Sequence, residues 1–182
     1  MKRFMMIAAM LVAALTVSAQ NDDLKNEIGA YYGFGSASNI VTTFAKAFTF
    51  SSDDRSGFWG PIGIEYYRHV TPVVAIGAMA SIAGCTFKDN IGNNDGSAKY
   101  YTVMPAVKFN YLRRDHFGLY SGLAAGVMFF NSSYANQNDN SVNFMFQLTG
   151  IGAEFGGQQF RGFAEFGFGE RGVLCAGLRY KF

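Results

Sequence analysis

The residue pattern beyond position 25 alternates between two kinds of side chain over long stretches. In "YYTVMPAVKFNY" (100–111), one side carries Tyr101, Val103, Pro105, Val107, Phe109 and Tyr111, and the other carries Tyr100, Thr102, Met104, Ala106, Lys108 and Asn110. Successive side chains of an extended chain point to opposite faces, whereas a helix repeats every 3.6 residues. The alternation therefore predicts β-strands with one apolar face and one mixed polar face.

Eight segments carry this alternation, and together they span most of the chain. They lie at 27–34, 60–67, 72–85, 100–111, 117–130, 142–155, 160–168 and 173–182. In the sixth segment Phe144, Phe146 and Leu148 share one parity, but Ile151 and Phe155 have the other. An extra residue in a strand shifts the parity in this way, and glycine often marks such a position. The sequence therefore predicts a β-bulge near Thr149–Gly150.

The connecting segments differ in length in a regular order. Short connectors lie at 68–72, 113–116 and 156–159, and longer polar ones at 36–56, 88–97 and 131–140. The last connector, "GERG" at 169–172, is short but falls on the side of the long ones. Antiparallel hairpins with short turns at one end and longer loops at the other are typical of outer-membrane β-barrels.

The polarity of the two faces decides between a soluble and a membrane barrel. The chain has 22 Gly, 19 Phe and 10 Tyr against 15 Lys plus Arg and 13 Asp plus Glu. The apolar face is large and aromatic, whereas the other face mixes glycine, alanine and hydroxyl residues with scattered charges. The lumen of an eight-stranded barrel is too narrow for consecutive aromatic rings. The pattern thus predicts an all-β fold: an eight-stranded antiparallel up-and-down transmembrane β-barrel with its aromatic face toward lipid.

The first residues predict a cleaved signal peptide. Lys2 and Arg3 precede an apolar run that ends in the small residues Ser18 and Ala19, the arrangement of a secretory leader. We expect residues 1–19 to be removed, with cleavage between Ala19 and Gln20. Residues 20–182 then form one barrel domain, and the formal net charge of +2 is too small to indicate binding to nucleic acid.

Charged side chains on the mixed face are candidates for a network inside the lumen. Their parity places these residues on that face: Glu27, Glu65, Lys108, Arg161, Glu165, Arg179 and Lys181. Buried charges require partners, so the main hypothesis is a network of ion pairs that fills the lumen. A polar conduit for ions or small solutes is the alternative.

The sequence offers little catalytic chemistry. His69 and His116 fall in predicted short turns, and the spacing shows no Ser-His-Asp arrangement, metal-ligand set or phosphate-binding loop. We therefore predict a non-enzymatic protein without cofactor or metal. Cys85 and Cys175 are expected to be packing residues, and a disulfide between them is the less favoured alternative.

The final strand, "LCAGLRYKF", ends on Phe182 and alternates through Tyr180 and Leu178. With this ending, the chain resembles the small eight-stranded outer-membrane β-barrels of the OmpX/OmpW-like type. The resemblance implies that Leu178, Tyr180 and Phe182 are the signal recognised by the outer-membrane assembly machinery. It also implies an integral outer-membrane location in a diderm, Gram-negative-type bacterium.

The partners expected on this basis are outer-membrane lipids, the assembly machinery and an unidentified surface ligand at the long loops. The function predicted first is a structural or surface-interaction role. A narrow channel or carrier for small or hydrophobic solutes is the alternative, and a lipid-modifying barrel enzyme is a distant third.

Overall fold

The computed structural model describes residues 25–36, 57–88, 94–134 and 137–182. The predicted signal peptide and its cleavage site at Ala19 and Gln20 lie outside the described residues, as does most of the first long connector, residues 37–56. Among the described residues no helix is long and apolar enough to cross a membrane.

Eight antiparallel strands form a closed barrel in which each strand pairs with its neighbours in the sequence. The strands are β1 (Asn26–Phe34), β2 (Gly57–His69), β3 (Val74–Lys88), β4 (Asn94–Arg113), β5 (Phe117–Tyr134), β6 (Gln137–Gly156), β7 (Phe160–Gly169) and β8 (Leu174–Lys181). The predicted fold class is confirmed. We call the end with turns 70–73, 114–116 and 157–159 the turn end, and the opposite end the loop end.

The barrel closes where the first strand meets the last. Strand β1 pairs with β8 from Glu27 opposite Lys181 to Phe34 opposite Leu174. The terminal residue takes part, because the backbone N–H of Phe182 donates to Asn26 O at 2.8 Å and Asn26 N–H donates to Phe182 O at 2.9 Å. Closure leaves no unpaired edge along this seam.

The two faces of the wall have opposite chemistry. Large apolar side chains point outward, as shown by exposed fractions of 60% for Ile64, 56% for Phe166 and 58% for Leu178. Charged and small side chains point inward, and Glu65 and Arg179 are 2% and 1% exposed. The molecule is thus apolar outside and charged inside, the reverse of a soluble barrel.

The predicted bulge in β6 is confirmed. The register between β6 and β7 shifts between Thr149 and Ile151, so that one residue of β6 has no opposite partner. The extra residue restores the apolar face outward, with Leu148 and Ile151 both exposed on either side of it. It also turns Glu154 toward the lumen, where this side chain is 2% exposed.

The described parts of two predicted long connectors are strand. Strand β5 extends to Tyr134 and β6 begins at Gln137, so most of the predicted loop 131–140 is a paired hairpin with Asn131 opposite Asn140. Similarly, β4 begins at Asn94 within the predicted loop 88–97. Polar side chains do not prevent pairing here, because the barrel below already holds the two strands in register. Strands β4, β5 and β6 reach 20, 18 and 20 residues, although about 9–11 suffice to cross a bilayer.

Candidate functional site

The lumen holds a network of ionised side chains contributed by six of the eight strands and one turn. The residues that parity assigned to the inner face are all buried, each 6% exposed or less: Glu27, Glu65, Lys108, Arg161, Glu165, Arg179 and Lys181. Ion pairs connect six of these residues with one another, and Arg161 joins them through Glu154. Two further members, Glu154 and Arg171, complete the network.

Arg179 on β8 is at the centre of the network. Its Nε donates to Glu65 Oε1 at 2.8 Å, and its Nη1 contacts Glu154. Glu165 lies 3.7 Å away on the next strand. The guanidinium carbon also stacks 4.1 Å from the ring centroid of Phe163, and such stacking suits a planar, weakly hydrated cation.

Lys108 and Lys181 lie toward the turn end, where both contact the carboxylates of Glu27 and Glu154. Lys181 Nζ is 2.5 Å from Glu154 Oε2 and 3.6 Å from Glu27 Oε2. Lys108 Nζ is 3.1 Å from Glu154 Oε1 and also contacts Glu27. Arg161 reaches Glu154 at 3.6 Å. Each carboxylate therefore shares more than one cation, which offsets the cost of burying these charges.

Arg171 belongs to the turn between β7 and β8 and closes the network toward the loop end. Its Nη1 donates to Glu165 Oε1 and Oε2 at 2.8 and 2.9 Å, and its Nη2 contacts Glu65. Its backbone N–H donates to Gln147 Oε1 at 2.8 Å. The turn bends over the lumen between Gly169 and Gly172, whose φ angles of 136° and 92° are accessible mainly to glycine.

Glu154 and Arg171 were not predicted from the sequence. Parity from Phe144 places Glu154 on the outer face, and only the bulge near Gly150 reverses it. A parity count from Phe155 backward would have found it. Arg171 lies in a turn, where no alternation exists, so no local pattern indicates that its side chain enters the barrel.

Glu170 is a buried carboxyl group outside these ion pairs. It is 0% exposed, and its Oε1 accepts hydrogen bonds from Ser81 at 3.2 Å and Thr102 at 3.1 Å. Its Oε2 has no hydrogen-bond partner among the described residues. Burial raises the pKa of Glu170, and the two hydroxyl donors offset that rise only in part.

The two histidines occupy different surroundings. His116 lies in an exposed turn, with Nδ1 3.1 Å from Gly156 O, as expected. His69 was expected in a surface turn, but it is the last residue of β2 and is 8% exposed. Its Nε2 lies 3.4 Å from Glu27 Oε2 because β2 continues pairing with β3 to its end, which keeps this side chain over the lumen.

The predicted assembly-signal residues line the outer face of β8. Leu178, Tyr180 and Phe182 are 58%, 38% and 48% exposed. The rings of Tyr180 and Phe182 stack with centroids 5.9 Å apart, and Tyr180 lies equally far from Phe160 on β7. These contacts form an aromatic cluster at the turn end, and recognition of it by assembly machinery stays a prediction.

Opposite charges are nearly balanced in this network. Four carboxylates (Glu27, Glu65, Glu154 and Glu165) face five cations (Lys108, Arg161, Arg171, Arg179 and Lys181) inside a barrel whose eight strands leave a narrow bore. Within the described ranges no group of three or more His, Cys, Asp or Glu is placed to hold a metal ion. Cys85 and Cys175 are buried thiols. We call the four carboxylates and five cations together the charged plug.

Solved structures provide the comparison. The N-terminal β-barrel domain of Pseudomonas aeruginosa OprF superposes with a TM-score of 0.52 and 11% identity, covering 87% of this chain and 97% of that one. The fold is that of an eight-stranded outer-membrane β-barrel. Ail, the attachment invasion locus protein of Yersinia pestis, gives a TM-score of 0.45 at 16% identity, with 87% and 99% of the two chains covered.

A second Ail structure, in complex with the heparin analogue sucrose octasulfate, gives a TM-score of 0.46 at 15% identity and covers 87% and 97% of the two chains. No family model and no curated protein matches the sequence. At these identities the OprF likeness shows the fold alone.

Proposed function

We propose that this chain is a non-enzymatic integral outer-membrane protein with a structural or surface-interaction role. The observation that carries the proposal is the inverted polarity of the wall. Side chains such as Ile64 and Leu178 are exposed on the outside, whereas the charges are buried within. A continuous apolar belt of this size would aggregate in water and is stable only against lipid.

The charged plug favours a closed barrel rather than a channel. Arg179 and Arg171 fill the lumen between Glu65 and Glu165, with contacts from three strands and the β7–β8 turn. A conducting lumen would need unpaired polar groups and free bore along its length. A narrow channel or carrier is the alternative, and conductance distinguishes the two.

The long strands β4, β5 and β6 extend the barrel at the loop end, and this extension supports an interaction role. Strand β6 pairs with β7 only from Gln147 onward, while its pairing with β5 begins at Gln137. Among the described residues no strand pairs with the far side of β6 before Phe146, where Glu170 N–H donates to the carbonyl. Val142 and Phe144 are exposed there at 62% and 73%. An unpaired strand edge with apolar side chains is a surface on which another chain can dock.

The proposed topology has the turn end in the periplasm and the loop end outside the cell. Its partners are outer-membrane lipids along the wall, the assembly machinery during insertion and an unidentified ligand at the extended strands. His69 contacts a carboxylate and His116 a backbone carbonyl, so we expect His69→Ala and His116→Ala to leave membrane lipid composition unchanged.

Two peptide-tag insertions in a diderm host test location and topology. A tag at 135–136, between β5 and β6, should be reached by antibody on intact cells, whereas a tag beside Gln158 should be reached only after permeabilisation. The protein should fractionate with the outer membrane and migrate differently on gels before and after boiling. A soluble location with no band shift would refute the proposal.

Planar-bilayer recordings test the closed lumen. The purified barrel should give no steady openings at moderate voltage. Reproducible single-channel steps would replace the proposed role by the channel alternative.

A further inference from the structure

Sulfur-containing side chains are segregated inside the barrel. Met79, Met104, Met128 and Met145 are the methionines of the described residues, and all four are buried in one cluster on the inner face. By contrast, no Leu, Ile or Val of the described residues is buried. Methionine and leucine have similar volumes and exchange at small cost in packed interiors. Space filling therefore does not explain why the apolar residues with long side chains inside are methionines.

Three of these methionines lie at one level of the lumen, beside one glycine of the same level. Met79 lies directly opposite Met104 on the neighbouring strand. Met145 lies opposite Gly126, and a Cβ atom built on Gly126 would lie 2.9 Å from Cγ of Met104. The Met104 side chain thus lies beside Gly126, whose partner on the next strand is Met145. The three side chains belong to one buried cluster, and the glycine adds no side chain of its own between them.

The carboxylate of Glu170 lies next to these methionines, on the side of the loop end. Ser81 and Thr102 are opposite each other, each two residues from Met79 or Met104 on the same face, and both donate to Glu170 Oε1. Met128 lies opposite Thr102 at this level. The other oxygen of Glu170 has no hydrogen-bond partner, and among the described residues no Lys, Arg or His forms an ion pair with it. A buried, unpaired carboxylate is costly unless a proton or a cation joins it.

We propose that this methionine chamber, formed by Met79, Met104, Met145 and Glu170, binds one soft monovalent cation of the Cu(I) type. Thioether sulfur is a soft ligand that selects Cu(I) over the hard cations Mg²⁺ and Ca²⁺. The three sulfurs are the ligands, and the carboxylate of Glu170 balances the single positive charge. The inference concerns the lumen alone and does not depend on what the rim of the barrel binds.

Silver(I) is the probe, because it resembles Cu(I) in softness and charge and needs no reductant. Titration of the refolded barrel in detergent, in chloride-free buffer, is followed by calorimetry and native mass spectrometry. The parent for all comparisons carries Cys85→Ser and Cys175→Ser, since thiols also bind silver. We expect this parent to bind one silver ion per barrel. Competition by Cu(I) against a colorimetric Cu(I) chelator then tests the proposed ion itself.

The deciding variant replaces Met79, Met104 and Met145 by leucine in that parent. Its silver affinity should fall by more than about a hundredfold, and Glu170→Gln should lower it by roughly tenfold, as loss of a supporting group does. Leu123→Met adds a thioether on the outer face and should leave stoichiometry and affinity unchanged. Heat-modifiable migration verifies that each variant is folded, and single leucine variants replace the triple one if it does not fold.

Absence of silver binding by the parent would overturn the proposal, as would unchanged affinity in folded leucine variants. Either result with normal heat-modifiable migration would leave the membrane-barrel function untouched. Loss of the barrel itself would instead appear as an unshifted band in the parent, so the two failures are distinguishable.

Discussion

Arg171 Nη1 lies 2.8 Å from Glu165 Oε1, and this ion pair connects the β7–β8 turn to the inner face of β7. The same guanidinium contacts Glu65 on the opposite side of the lumen, and its carbon lies 4.2 Å from the ring centroid of Tyr31. These contacts hold the short turn over the charged plug like a lid at the loop end. Its position depends on a side chain that reaches inward.

Replacing Arg171 by leucine should destabilise the barrel strongly. The change leaves Glu65 and Glu165 buried with Arg179 as their remaining cation, and breaking a buried pair costs about 3–5 kcal/mol. Urea unfolding of the barrel in detergent measures the free energy of unfolding. Arg114→Leu, in an exposed turn, should change it by less than about 0.5 kcal/mol.

The double variant Arg171→Leu with Glu165→Leu sharpens this test. Removing both members of a pair avoids an unpaired buried charge, so the double variant should be more stable than Arg171→Leu alone. An Arg171→Leu variant no less stable than Arg114→Leu would contradict the role assigned to the lid.

A lysine in place of Ile64 should weaken the membrane-embedded barrel. Ile64 points outward midway along β2 and is 60% exposed. A lysine facing lipid costs about 2–4 kcal/mol near the bilayer midplane. The measurement is the free energy of unfolding in lipid bilayers, with Gln158→Lys in an exposed turn as the control. Equal stability of the two variants would show that this face does not meet hydrocarbon.

Two glycines of β6 offer a matched pair for testing the lumen packing. A Cβ on Gly152 would overlap the Tyr120 ring, whose hydroxyl donates to Glu165 at 2.7 Å. Gly152→Ala should displace this ring and cost about 1–3 kcal/mol. At Gly150 the nearest atom to such a Cβ is Phe166 O at 3.6 Å, so Gly150→Ala should be nearly neutral. Unfolding curves compare the two, and the reverse order would refute the packing described.

The aromatic end of β8 is expected to matter more for assembly than the extended hairpin does. Phe182→Asp removes the stacked ring beside Tyr180 and places a charge at the outer end of the closing seam. We expect the yield of heat-modifiable protein in the outer membrane to drop several-fold, whereas Asn140→Asp on an exposed hairpin strand should leave it unchanged. Equal yields would remove the assembly-signal hypothesis for Leu178, Tyr180 and Phe182.

The sequence by itself determined the barrel and the chemistry of its faces. Strand parity is local: whether Glu65 and Arg179 face inward follows from their immediate neighbours, and an apolar outer face requires closure in lipid. The same local rule also indicated the bulge near Gly150, because two halves of one strand disagreed in parity.

Only the tertiary structure decided which inward-facing groups meet. Contacts across the lumen depend on the register between strands and on bulges, neither of which a local pattern records. Glu154 joined the network through the bulge, Arg171 through a turn that bends inward, and the extended hairpin formed because the barrel below aligned its strands. Met79, Met104 and Met145 are far apart in the chain, and register alone brings them to the same level of the lumen.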